Sequence, residues 1–309
     1  MTAPDDLGRL LQCAAEWRSA GHGLALATVV KTWGSAPRQV GAMLLIRDDG
    51  LFEGSVSGGC VEGAVIEAAR ARIGRGGGEL LHFGVASERA WEVGLACGGE
   101  IDILVQTVDD GAFPPALLRQ LALARDAGRP FSIATDFASW QSREGDAGDF
   151  VHRFDPRLRL LLVGAVHISQ ALAPLARRLG HEVRIVDPRG LFAVGPRFAG
   201  FEVDPRWPDE ALTDWRPDAA SAIVCLTHDP KLDDAALAVA LRSPAYYVAA
   251  LGSRRTHGLR RQRLAAQGFT PADLDRIHGP AGIGIGAANP AEIAVSVAAE
   301  MIAAWRQRP

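Results

Sequence analysis

Two cysteines in the first third of the chain stand among glycines, in Gly54-Ser55-Val56-Ser57-Gly58-Gly59-Cys60-Val61-Glu62 and in Ala96-Cys97-Gly98-Gly99-Glu100. A strand-like run, Leu51 to Val56, leads into the first. A helical run, Glu62 to Ile73, leaves it, with apolar residues at Val61, Val65, Ile66 and Ala69. Cys60 is thus expected where a strand turns through glycines into the first turn of a helix. Free backbone N–H groups and the positive end of the helix dipole converge at such a turn, favouring bound anions and a lowered thiol pKa. The same spacing also suits a buried cysteine acting as a small hydrophobe, with glycines that serve only the turn.

A second set of chemically capable residues lies in the latter half. Gly164-Ala165-Val166-His167-Ile168-Ser169 follows an apolar run, and Asp187 ends the next such run, 23 positions after Gly164. This approaches the dinucleotide fingerprint, where glycines let backbone meet a pyrophosphate and an acidic residue about 20 positions on holds the ribose. Val166 occupies the place of the second glycine, and its branched side chain obstructs that approach. Ser169, in the third place, is a milder change. A Rossmann-type fold is expected, with ordinary NAD(P) binding disfavoured, although a phosphate in a shifted pose can still meet the helix N-terminus.

Thr227-His228-Asp229, Gly252-Ser253-Arg254-Arg255 and Gly282-Ile283-Gly284-Ile285-Gly286 are further strand-end loops of this half. Ligands of open α/β sheets bind at the carboxyl ends of the strands, and the planar fork of Arg254 or Arg255 suits phosphate. Each loop alone is also ordinary folding chemistry; their convergence on one crevice favours an anionic ligand. Arg260, Arg261 and Arg263 downstream are expected on a solvated helix face. In the first half, Thr32 to Arg38 is the matching loop. Pro37 stiffens it, Arg38 offers a cation, and Trp33 offers either a stacking face or a piece of core. No HExxH, EF-hand, GxSxG or Walker A pattern occurs, and His22, His82, His152, His167 and His181 lack metal-ligand spacing. Cys60 with Cys97 is the one candidate metal pair, without further obvious ligands.

The elements that must hold these residues fall into two parts. The chain has 309 residues, 48% hydrophobic and 22% charged, enough for two ordinary cores. In the first part a helix, Leu7 to Arg18, precedes strand-like runs at Leu24–Thr32, Ala42–Ile46, Glu79–Phe83, Ile101–Val108 and Phe131–Thr135, with a second helix at Pro114–Ala127. Ser139 to Gly148 turns polar, as a surface hairpin or the approach to a boundary near Asp155-Pro156. The second part alternates strand and helix from Arg159–Val163 to Pro290–Trp305, the pattern of a parallel sheet wound on both faces. The expected fold is therefore α/β: an N-terminal mixed α/β domain over residues 1–155, then a Rossmann-like doubly wound parallel-sheet domain over 156–309.

A net charge of −3 carries no electrostatic footprint for nucleic acid. Cys13, Cys60, Cys97 and Cys225 form no CxxC pair, the N-terminus lacks a secretory pattern, and no apolar run nears the ~20 residues that span a bilayer. A reducing cytoplasm is expected, with no membrane partner. Homodimerisation is compatible with the chain, though no feature establishes it.

Taken in order, these loops resemble the XdhC/CoxI family, accessory proteins in the maturation of xanthine dehydrogenase and related molybdenum hydroxylases. The resemblance runs through Thr32–Arg38 with Gly41, Gly54–Glu62 and Cys97-Gly98-Gly99. It continues in Gly164-Ala165 with His167, Asp187-Pro188-Arg189, Thr227–Asp229, Gly252–Arg255, and Ile285-Gly286-Ala287 leading into Pro290–Ser296. The two cysteine-glycine segments in this order are its most specific part. Val166 departs from the family, in which a second glycine is usual.

The resemblance implies a two-domain protein that binds molybdenum cofactor (molybdopterin). Such a protein protects the cofactor while a cysteine desulfurase supplies the terminal sulfur, then delivers it to an apo molybdenum hydroxylase. It implies a maturation factor rather than a catalyst turning over a small substrate. Carried over motif by motif, the cofactor-binding residues are Gly34, Ser35, Arg38, Ser57, Gly58, Gly59, Cys60, Cys97, Gly98, Gly99, Gly164, His167, Asp187, Ser253 and Arg254. Cys60 and Cys97 are then the thiols placed to contact molybdenum or hold sulfur. A nucleotide-dependent oxidoreductase built on the Rossmann-like half, and a sulfurtransferase with Cys60 as persulfide carrier, are the alternatives.

Overall fold

Alternating apolar side chains lay out the first half as a sheet covered on both faces. In the computed structural model, which describes residues 6–34, 38–59, 61–84, 99–190 and 196–308, the chain divides into two compact units that part between Pro156 and Arg157. The first unit contains α1 (Asp6–Ser19), β1 (Leu24–Trp33), β2 (Met43–Arg47), β3 (Phe52–Gly54), α2 (Glu62–Arg72), β4 (Gly78–Phe83), β5 (Glu100–Thr107), α3 (Pro115–Asp126), β6 (Phe131–Thr135), β7 (Ser142–Glu144) and β8 (Phe150–Phe154).

Its main sheet is five-stranded, in the order β3-β2-β1-β5-β4, with every pairing antiparallel. Because successive strand residues point to opposite faces, Ala25, Ala27, Val29, Leu44 and Ile46 meet Val61, Val65 and Ala69 at α2 on one side. Leu24, Leu26 and Leu45 meet Leu10, Leu11 and Ala14 of α1 and Leu117, Leu118 and Leu121 of α3 on the other. The polar stretch from Ser139 to Gly148 carries β7, which pairs with β6 in a three-stranded sheet ordered β7-β6-β8.

The second unit contains β9 (Arg159–Val163), α4 (His167–Arg178), β10 (Glu182–Val186), β11 (Glu202–Asp204), α5 (Pro208–Trp215), β12 (Ser221–Cys225), α6 (Pro230–Leu241), β13 (Tyr247–Ala250), α7 (Arg254–Ala266), α8 (Pro271–Asp275), β14 (Ile277–His278) and α9 (Pro290–Arg306). Its six strands, ordered β11-β10-β9-β12-β13-β14, are all parallel. Leu160, Leu162, Ala222 and Val224 face α4 and α9, while Leu161, Val163, Ile223 and Cys225 face α5, α6 and α7. The mixed α/β unit followed by a doubly wound parallel sheet is the fold the sequence predicts. Elements absent from that prediction, β8, β11, α5, α8 and β14, are mostly too short to show a hydrophobic period.

Strand order reverses between β9 and β12. The loops that leave their carboxyl ends, Gly164–Val166 and Leu226–Asp229, flank this switch point, the usual ligand crevice of such sheets. None of the helices described is long and apolar enough to cross a membrane.

Candidate functional site

The strand–turn–helix junction before Cys60 is built around a carboxylate. Glu62, the first residue of α2, is 8% exposed. Its Oε1 accepts from Ser55 Oγ at 2.8 Å and from the amides of Val56, Ser57 and Gly58 at 3.2, 2.9 and 3.0 Å. Its Oε2 accepts from Gly59 N at 2.8 Å and from the Ser57 hydroxyl. Gly58 and Gly59 have φ of +82° and +121°, with open space where a Cβ would stand. Glycine is thus required there for backbone conformation, which turns successive N–H groups inward as an anion-binding nest. Ser57 Oγ also accepts from Val61 N, capping the turn.

Burial works against the Glu62 charge, but hydrogen bonds from Ser57, Ser55 and Gly59 outweigh it and hold the carboxyl at about 2. The sequence-based expectation of free N–H groups at this turn is therefore corrected. The amides of residues 56–59 are occupied by the protein's own carboxylate. The sequence reading did not count Glu62 among the site residues; its signal was a glutamate at the first helical position after a Ser-Gly-Gly turn.

Ser55 joins this nest to a cavity of about 140 Å³ lined by Asp6, Leu7, Leu10, Arg38, Gly41, Ala42, Met43, Gly54 and Ser55. Arg38 is exposed at this cavity. Gly41 (φ +91°) is required twice over, since a Cβ there would lie 2.8 Å from Nε2 of His152. That imidazole stacks on Phe154 with centroids 3.8 Å apart, and burial drives its pKa down to about 4, so it is neutral at pH 7. A larger cavity of about 380 Å³ between α1 and α3 contains none of the predicted site residues. Trp33 is 67% exposed and is not core; Gly34 beside it has φ +69°, and Gly99 is buried. Ser35, Cys60, Cys97 and Gly98 lie outside the described residues. Among those described, no group of His, Cys, Asp or Glu has a metal-binding arrangement.

In the second unit the first βα turn is also held by a carboxylate. Asp187 is fully buried. Its Oδ2 accepts from Ala165 N at 2.7 Å and from Arg189 Nη2 at 2.8 Å, and its Oδ1 from Arg189 N and Nε, both at 2.9 Å. Burial raises its pKa, but the bonds from Arg189 and Ala165 outweigh this and lower it below the ordinary value. A Cβ on Gly164 (φ +112°) would lie 2.8 Å from Cγ2 of Thr227, so glycine is required there. Val166 is the extended N-cap residue of α4 (φ −104°), a conformation any side chain adopts. His167 is exposed beside it. Ser169 is buried and its hydroxyl donates to the Gly164 carbonyl, which accounts for a serine in the third fingerprint position.

The remaining polar loops act largely as helix caps. Ser253 accepts from Thr256 N at the start of α7, Asp229 from Lys231 N at the start of α6, and Asn289 from Glu292 N at the start of α9. Arg254 is exposed. The expected solvated arginine face is corrected as well. Arg260 is buried 3.7 Å from buried Asp233 and donates to the Leu251 carbonyl, while Arg261 and Arg263 pair with Asp275 and Asp234. Of that run only Arg260 is buried; Arg254 and Arg255 are exposed, and Arg261 and Arg263 are partly exposed. Cys225 lies in the core, and burial pushes its thiol pKa well up, so it is an inert hydrophobe.

This arrangement can be set against known proteins. Residues 160–301 match the XdhC Rossmann domain, and residues 17–84 match the XdhC and CoxI family. The chain belongs to the XdhC/CoxI family. It is 32% identical, over 96% of its length and 88% of the other protein, to the molybdenum cofactor insertion chaperone PaoD of Escherichia coli K12. A protein of Bacillus subtilis 168 named a probable xanthine dehydrogenase subunit is 26% identical over 90% of this chain and 92% of its own. The fold is shared with a crystal structure of a Bacillus halodurans protein named a xanthine dehydrogenase, with TM-score 0.79, 24% identity and coverage of 99% and 97%. The sequence resemblance stated above is thereby confirmed at the level of family.

Proposed function

We propose that this protein binds molybdenum cofactor, keeps it while a cysteine desulfurase installs the terminal sulfur, and delivers it to an apo molybdenum hydroxylase of the xanthine dehydrogenase type. Its likeness to PaoD, named a molybdenum cofactor insertion chaperone, over 96% of the chain carries this reading. The working compartment is the cytoplasm.

The residues fit such a ligand in a particular way. The amide nest at residues 56–59 is filled by Glu62, so the phosphate belongs elsewhere. Arg38, at a cavity with Ser55 and the glycines 41 and 54, offers a guanidinium of matching charge. Cys60 and Cys97 supply soft thiolates suited to molybdenum or sulfur. Gly58, Gly59, Gly98 and Gly99 carry no side chains in the segments around those thiols, Ser57 ties the first of these segments to Glu62, and Gly34 and Ser35 belong to the same loop as Arg38. In the Rossmann-like unit, taken by itself, the proposed contacts are Gly164, His167, Asp187, Ser253 and Arg254; Asp187 acts there through Ala165 and Arg189, which occupy its oxygens. The engagement of Asp187, together with Val166, speaks against the alternative of a nucleotide-dependent oxidoreductase.

The test is anaerobic mixing of the purified chain with molybdenum cofactor, scored by metal analysis and pterin fluorescence, wild type beside Cys60→Ser. Near-stoichiometric retention by wild type and loss in the variant are expected. A folded wild type that retains none would overturn the reading.

A further inference from the structure

Glu62 is held by far more donors than a residue at a helix start requires. A carboxylate offers about four lone-pair directions. Here Ser55 Oγ, Ser57 Oγ and the amides of Val56, Ser57, Gly58 and Gly59 all converge on it. A glutamate needed only for the helix dipole would stay in solvent. This one is buried instead, at a desolvation cost that only a full donor set offsets. The donors all lie in the segment 55–59 that leads directly to Cys60, and Val61 beyond it is tied to Ser57 and buried in the core. Ser55 also lines the Arg38 cavity.

We infer that Glu62 is a built-in anion that positions the cofactor site: it clamps the backbone entering Cys60 and closes the amide nest to the phosphate of the ligand, leaving that group to Arg38. The second half rests on the function proposed above; the clamp itself does not. Glu62 touches no ligand in this role and acts through the loop it holds, as outer-shell partners of metal ligands do.

The experiment uses the full chain as wild type, Glu62→Ala, Glu62→Gln and Glu62→Asp. Sodium acetate refills an emptied nest, so it is expected to raise the melting temperature of Glu62→Ala by a few degrees over equal sodium chloride, and not that of wild type. Alkylation of Cys60 by iodoacetamide, mapped by mass spectrometry, is expected to quicken at least severalfold in Glu62→Ala and to slow again with acetate. The Cys13 and Cys225 peptides should not respond. A purely packing role would leave both variant and wild type indifferent to acetate, and that result would overturn the clamp. If Glu62→Ala does not fold, the isosteric Glu62→Gln carries the alkylation test, and a wild-type rate there would overturn it equally.

Cofactor retention then separates the two halves. Glu62→Gln is expected to lose roughly 10–100-fold in retention, with Glu62→Asp recovering part of it; wild-type retention by Glu62→Gln would refute the positioning role. If wild type itself retains no cofactor, the proposed function fails, and the acetate and alkylation results alone decide the clamp.

Discussion

The turn at residues 54–62 and the turn at residues 163–167 have the same plan: strand, glycine, helix N-terminus. Both are read from sequence as cradles for a bound anion, and in both an internal carboxylate takes backbone amides instead. The carboxylates come from different places. Glu62 begins the helix that leaves its own turn and takes four successive amides. Asp187 reaches from the next strand, takes only Ala165 N, and is otherwise committed to Arg189. A local clamp saturates its turn, whereas the distant one ties two strand ends together and leaves the N-terminal turn of α4 with His167 exposed. A glycine-rich turn is thus open to ligands only to the extent that no nearby carboxylate has already filled it.

Three substitutions test that contrast. The largest effect is expected from Glu62→Gln in the first unit. A carboxyl held at about 2 against an ordinary 4.5 contributes on the order of 3 kcal/mol of stability. Because its pKa is depressed on folding, that stability is complete above about 4.5 and is lost as pH falls through about 2. Urea unfolding across this range should show wild type and variant converging in acid; a gap independent of pH would break the clamp argument.

Gly164→Ala comes next, at about 2 kcal/mol, from a left-handed φ and an overlap with Thr227. Adding Thr227→Ser removes the methyl that the new Cβ meets, so chemical denaturation of the double variant should recover the overlap but not the backbone strain. Full recovery would mean that φ there is relaxed easily.

The smallest effect is expected at Val166→Gly, a loss of roughly 0.5–1 kcal/mol from added freedom in the unfolded chain. The substitution restores the missing fingerprint glycine yet leaves Asp187 engaged by Ala165 and Arg189. Calorimetric titration should therefore find no tight NAD(P) binding. Tight binding by this variant would show that Val166 alone is the barrier and that the Asp187 contrast is irrelevant.

Much of the framework was legible in the residues alone. The strand and helix runs carry their own periods, because each element buries a repeating face, and the order of strands and helices in the second half leaves few topologies besides a doubly wound sheet. The family, too, is written in local segments such as Ser57–Glu62 and Asp187–Arg189. What the residues did not disclose is which partners the polar groups take. Arg260 reads as one of a solvated run but is buried against Asp233, and Asp187 reads as a ribose ligand but closes on Arg189 and Ala165. The Arg260–Asp233 and Asp187–Ala165 contacts depend on strand register and helix packing, which bring together residues 22 positions or more apart, although Arg189 lies only two positions from Asp187. Glu62 lies between these cases: its donors are three to seven positions away, so sequence alone held the components, but only the left-handed backbone at Gly58 and Gly59 aimed them at one carboxylate.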